Sequence, residues 1–214
     1  MTDTAERPVR PDTRQTGAFR TKEVAFVGVF GAVAAVLMYF EFPLPFLPGF
    51  YQLDFSEVPV LIGTFAFGPV AGTLIELVKI LLHLLLKGTS TAFVGDFANF
   101  LIGFALLLPA GLIYQNRKTR RRALAGMAAG TACMTVCGAV MNLYFLIPAY
   151  AKAFGLSVDA IVAMGTQVNP AVTSLNGLVL LCNVPFNLLK GVLVSAATFL
   201  LYKHVSRFIH KAGE

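Results

Sequence analysis

Residues 55–86, FSEVPVLIGTFAFGPVAGTLIELVKILLHLLL, decide how this chain is read. From 58 to 75 the stretch has no charge, and apolar character continues through Glu76 and Lys79 to Leu86. Hydropathy alone does not separate one long helix from two. Gly68-Pro69 does, because glycine after a helix and proline in the first turn of the next are stop and start signals. Splitting there predicts a helix at about 55–67, short for a membrane span, and another at about 69–86.

Charge checks the split independently. Arg7, Arg10, Arg14, Arg20 and Lys22 precede an uncharged run at 24–40, and Arg117, Lys118, Arg120, Arg121 and Arg122 follow another at 97–114. Lys203, His204, Arg207 and Lys211 follow the last. Basic clusters beside membrane helices favour the cytoplasm, and all three reach it only if Gly68-Pro69 separates two helices. The expectation is an all-α integral membrane protein with six transmembrane helices and both termini cytoplasmic, at about 24–40, 55–67, 69–86, 94–115, 123–150 and 178–203. Residues 1–21 read as a polar, flexible N-terminal segment without the order of a cleaved signal, and 22–214 as one membrane domain. The segment 41–54 (EFPLPFLPGFYQLD) reads as an ordered loop or re-entrant cap, since Pro43, Pro45 and Pro48 block regular helix. Residues 151–177 read as a long external loop.

Composition agrees. Of 214 residues 57% are hydrophobic and only 13% charged, against roughly 25% charged in a soluble domain. Mean hydropathy is +0.73. The formal charge of +6 is concentrated beside apolar runs, the pattern of topology signals rather than of nucleic-acid binding. Three cysteines, all inside apolar segments, suggest neither a disulfide framework nor a zinc site. No nucleotide loop, zinc-protease helix or nucleophile elbow is found, so active transport would need a separate motor.

The polar residues inside the spans are few and patterned. In NVPFNLLKG, Asn183, Asn187 and Lys190 fall four and three apart, on one helical face. Hydrocarbon penalises such a face, so it looks into the bundle, either for interhelical hydrogen bonding or to bind a ligand beside Pro185. Asn142, in MNLYFLIPAY, lies at a similar outer level. Glu76, Lys79 and His83 share a face of the third helix, where a Glu–Lys pair is available, and Asp96 either caps the fourth helix or answers Lys79. In the first helix Ala25, Gly28, Ala32 and Ala35 form a stripe of small residues, with Gly28-xxx-Ala32 and Gly31-xxx-Ala35 spacing that suits close helix approach, internal or external.

Four segments, LDFSEVPVLIGTFAFGPVAGTLIELVK, GDFANFLIG, MNLYFLIPAY and PFNLLKG, resemble in order and spacing the riboflavin-binding S component of energy-coupling factor (ECF) transporters. The resemblance covers about residues 22–204. It implies a subunit of the cell membrane that captures riboflavin on the outer side and joins a transmembrane coupling protein and two ATPase subunits, with riboflavin as cargo and no resident cofactor. It implies polar contacts to the flavin from Asn142, Asn187 and Lys190 with Asn183 beside them, and a cover formed by Leu53, Asp54 and the aromatic loop before them. It also implies that the small stripe of the first helix, Gly28, Gly31, Ala32 and Ala35, meets the coupling protein. The alternatives are an S component for another vitamin, flavin mononucleotide as ligand and, from a different class, an integral membrane enzyme using Asp96, Glu76 or His83.

Overall fold

The computed structural model describes residues 21–89 and 93–212, with side chains as far as Leu201. The expected N-terminal segment and its four arginines lie outside the described residues, as do the side chains of the last basic cluster. Helix α1 (Thr21–Tyr39) leads into a two-stranded hairpin, β1 (Phe42–Pro43) and β2 (Gln52–Leu53), then α2 (Glu57–Phe67), α3 (Pro69–Lys87) and α4 (Val94–Asn116). Helix α5 (Arg120–Met141) passes through a π-helical segment (Asn142–Leu146) into α6 (Ile147–Phe154). Then come α7 (Val158–Val168), α8 (Leu175–Leu178), a second π segment (Val179–Asn183) and α9 (Val184–Ala212). Among the described residues five helical stretches are long and apolar enough to cross a membrane: Thr21–Tyr39, Pro69–Lys87, Val94–Asn116, Arg120–Phe154 and Leu175–Leu201. The chain is a multi-pass membrane protein.

The predicted break at Gly68-Pro69 is present. Gly68 has φ of 98°, a left-handed conformation that a side chain would strain, and Pro69 opens α3 where a backbone N–H would go unused. This corner packs against the Gln115 side chain, and the Phe26 and Phe67 rings stack with centroids 5.0 Å apart. The start of α1, the α2–α3 corner and the end of α4 therefore share one end of the bundle. At the other end an ion pair between Lys87 and Glu41 joins the ends of α3 and α1. Thus α1 and α3 run parallel, and α2 returns the chain between them.

That return is only half as long as a span. Eleven residues rise about 16 Å, roughly half the hydrocarbon thickness. The chain enters α2 from the aromatic segment 41–54, whose hairpin pairs Phe42 with Leu53 and Pro43 with Gln52. Turns between its prolines satisfy the backbone locally, Leu47 N–H to Leu44 O at 3.1 Å and Tyr51 N–H to Pro48 O at 2.9 Å. Here Tyr51, Leu53, Asp54 and Ser56 are all buried, as is α2 from Glu57 to Phe65.

The external loop expected at 151–177 is largely helical instead. Ser157 accepts from Ala160 N–H at 3.1 Å and caps α7, while Ser174 accepts from Gly177 N–H at 3.1 Å and caps α8. Helix α7 buries Ile161 and Val162 in an apolar cluster with Val172 and Leu178.

Two apolar cores result. One unites Leu61, Ile75, Leu106, Met134 and Val194; the other unites Tyr51, Leu53, Ile147, Val179, Cys182 and Phe186. In three places the chain passes from one to the other at buried polar residues: Asp54 and Glu57 lie between Leu53 and Val58, Asn187 and Lys190 between Phe186 and Val194, and Asn142 between Met134 and Ile147. A buried polar layer thus divides the bundle.

Candidate functional site

Proline builds the layer's two bends. Pro148 and Pro185 cannot donate the backbone hydrogen bond of an ordinary helix, and each follows a π segment by two residues. In the wider turns Ile147 N–H bonds Asn142 O, and Val184 N–H bonds Val179 O. Neither helix is broken at its proline; each is widened. π turns of this kind recur at functional sites, and here one opens at Asn142 and the other closes at Asn183.

The polar residues named from the sequence come together. Lys190 Nζ donates to Asp54 Oδ2 at 2.7 Å, and Asp54 Oδ1 accepts from Ser56 N–H at 2.8 Å and from the Ser56 hydroxyl. Asn187 Nδ2 donates to the backbone oxygen of Asn183 at 3.0 Å and to its Oδ1 at 3.1 Å. Asn142 Nδ2 donates to Gly138 O at 2.9 Å, and a Cβ at Gly138 would stand 2.7 Å from Asn187 Nδ2. The missing side chain at Gly138 lets Asn142 and Asn187 share a level across α5 and α9. Leu53 is buried beside Asp54, and the Tyr51 and Phe186 rings lie 5.3 Å apart above Asn187 in sequence. Among the described residues no donor reaches Oδ1 of Asn142 or Asn187, and Lys190 keeps two N–H groups beyond the one given to Asp54.

Electrostatics fix the loop to the helix. Opposite charges hold the Lys190 ammonium against the Asp54 carboxylate, with both groups out of water. A second ion cluster adjoins, with Lys79 Nζ 2.8 Å from Glu57 Oε1 and 2.7 Å from Glu76 Oε1. The expected Glu76–Lys79 pair is therefore present, with Glu57 as an unforeseen second partner. Asp96 neither caps α4, whose cap residue is Phe93, nor answers Lys79; its Oδ1 lies 3.7 Å from His83 Nδ1. Neither His83 nitrogen has a hydrogen-bond partner among the described residues.

The small stripe of α1 divides. Gly28 and Ala32 are exposed, whereas Gly31 and Ala35 are buried. A Cβ at Gly31 would collide with Val78 of α3, so this pair serves internal packing, and the expectation that it faces a partner is corrected. Sequence reading also missed Ser56, Tyr51, Phe186 and Gly138. The first two adjoin Leu53 and Asp54 in an aromatic loop, a usable signal, but Gly138 becomes meaningful only once α9 is seen opposite.

A multi-pass bundle with a buried polar layer beside an ordered aromatic loop suits a membrane protein that binds a small polar-edged ligand. The chain matches the family described as "ECF transporter, substrate-specific component" over residues 22–202 and belongs to it. It is similar to riboflavin transporter RibU of Staphylococcus aureus (strain TCH60), 35% identical over 92% of this chain and 97% of that one. Riboflavin transporter FmnP of Bacillus subtilis (strain 168) is 27% identical over 90% of this chain and 96% of its own. A solved structure described as the S component of a bacterial ECF transporter superposes with a TM-score of 0.69 at 35% identity, covering 88% of this chain and 97% of that one. These relatives are transporter components, so the membrane-enzyme alternative is set aside.

Proposed function

We propose that this chain captures riboflavin for uptake, as the S component of an ECF transporter whose coupling protein and two ATPase subunits supply the energy. The similarity to proteins named riboflavin transporters supports flavin over another vitamin. The observation that carries the reading is the buried set Asn142, Asn183, Asn187 and Lys190, one asparagine in each π turn and the other two residues on the same inward face of α9. An isoalloxazine is an apolar plate with an edge of alternating carbonyls and one N–H. Lys190 has N–H groups for a carbonyl, and an asparagine amide can turn either its oxygen or its NH2 toward that edge. Leu53, Tyr51 and Phe186 supply apolar surface for the plate, and Asp54 orients Lys190 while offering an acceptor to the ribityl hydroxyls.

The proposed topology has six passes and cytoplasmic termini, α2 with the re-entrant loop making the second. Support comes from the parallel run of α1 and α3 and from the arginine turn at the same bundle end as the start of α1. The exposed Gly28 and Ala32 are the proposed contact with the coupling protein. Titrating purified protein with riboflavin and following flavin fluorescence tests the function. Saturable quenching at one site per chain is expected; no quenching, with saturable binding of a different vitamin, would replace the ligand but keep the family.

A further inference from the structure

Away from the polar layer, α5 and α9 leave between them a groove of about 420 Å³, within the roughly 300–1,000 Å³ of ligand-sized concavities. Leu124, Met127 and Thr131 of α5 and Leu188, Val192 and Phe199 of α9 line it. The helices touch where Gly191 faces the Thr131 side chain. Met127 and Thr131 are buried in the groove floor, while Leu124, Leu188 and Val192 stand exposed at its rim. All six residues lie in stretches that cross the membrane, so hydrocarbon fills this space by default.

One mouth of the groove is charged. Arg120 and Arg121 precede Leu124 by four and three residues, which puts them on the groove's face of α5 one turn nearer the membrane surface. Both are exposed, as is Arg122, and none of the three forms an ion pair among the described residues. They stand in the first turn of α5, where the helix dipole also favours an anion. An apolar channel along two helices with guanidinium groups at its end matches a lipid acyl chain joined to a phosphate. We propose that the groove binds an anionic phospholipid, its acyl chain between α5 and α9 and its phosphate on Arg120 and Arg121. This site is separate from the exposed stripe of α1, which packs on α2 and α3.

Native mass spectrometry of the full chain with phosphatidylglycerol and phosphatidylcholine tests the proposal. One phosphatidylglycerol per chain should be retained, roughly tenfold better than phosphatidylcholine. Arg120→Gln with Arg121→Gln should abolish that preference, and filling the groove with Ala128→Phe and Val192→Phe should abolish retention, riboflavin titration reporting that each variant is folded. Equal retention of both lipids by the unaltered chain would overturn the proposal. So would retention that responds to the arginines but not to filling, the mark of surface charge alone. Filling that leaves lipid retention intact and blocks copurification with the coupling protein would make the groove a protein interface instead. Should the filled variant not fold, the chain contains no tryptophan, so Leu188→Trp provides a single reporter at the rim. Brominated phosphatidylglycerol should quench it at concentrations where brominated phosphatidylcholine does not, and equal quenching would again overturn the site.

Discussion

The Lys190 ammonium stands 2.7 Å from Oδ2 of Asp54, joining α9 to the end of the aromatic loop. Both groups are buried, so removing one leaves the other charged without a partner, at a cost of about 3–5 kcal/mol. Asp54→Asn should therefore lower the unfolding temperature more than the double change Asp54→Asn, Lys190→Met, which removes both charges. Circular dichroism in detergent measures this without flavin. A double variant no more stable than the single one would mean that the pair does not hold the loop.

Much of this was legible in the chain because each element follows from a local rule. Gly68-Pro69 marked the corner, and the spacing of Asn183, Asn187 and Lys190 marked one inward face. What stayed hidden depends on neighbours distant in sequence. Asp54 could be assigned to a cover, yet its bond to Lys190 needs α9 behind the loop. Gly31 and Gly28 are equally small, and only the approach of α3 separates a packing glycine from an exposed one. The helix α7 was missed for a different reason: its Ser157 cap was readable, but its short apolar face is explained only by Val172 and Leu178 beneath it.

That division of α1 is testable. Ala32→Trp adds bulk to an exposed face and should block copurification with the coupling protein while riboflavin still binds. Gly31→Leu places bulk against Val78 and should lower the melting temperature, by about 1–3 kcal/mol of overpacking, in the isolated subunit. If both variants assemble normally, the exposed stripe is not the contact.

Topology is tested by labelling in whole cells. With Cys133, Cys137 and Cys182 replaced by alanine, Lys118→Cys in the exposed α4–α5 turn should resist a membrane-impermeant thiol reagent until the cells are opened. Position 118 is preferred to 119 because Thr119 caps α5, accepting from Arg122 N–H at 3.3 Å. Labelling from outside would remove the second pass, leaving α2 and the loop before it on one side of the bilayer.

The sharpest test separates a ligand contact from its support. Asn187→Leu keeps approximate size but leaves a flavin edge group unpaired, which should weaken riboflavin binding by about 1–3 kcal/mol, or roughly one to two decades. Gly138→Ala keeps every residue proposed to touch the ligand, yet its new methyl would lie 2.7 Å from Asn187 Nδ2 and must push that amide aside. The alanine change should therefore weaken binding as well, although Gly138 is proposed to touch no ligand atom. In the Asn187→Leu background the leucine has no amide to misplace, so adding Gly138→Ala should cost less affinity than it does alone. Fluorescence quenching titrations on the four proteins measure the coupling directly. Full additivity would mean that Gly138 acts elsewhere, and unchanged affinity in Asn187→Leu would remove Asn187 from the site.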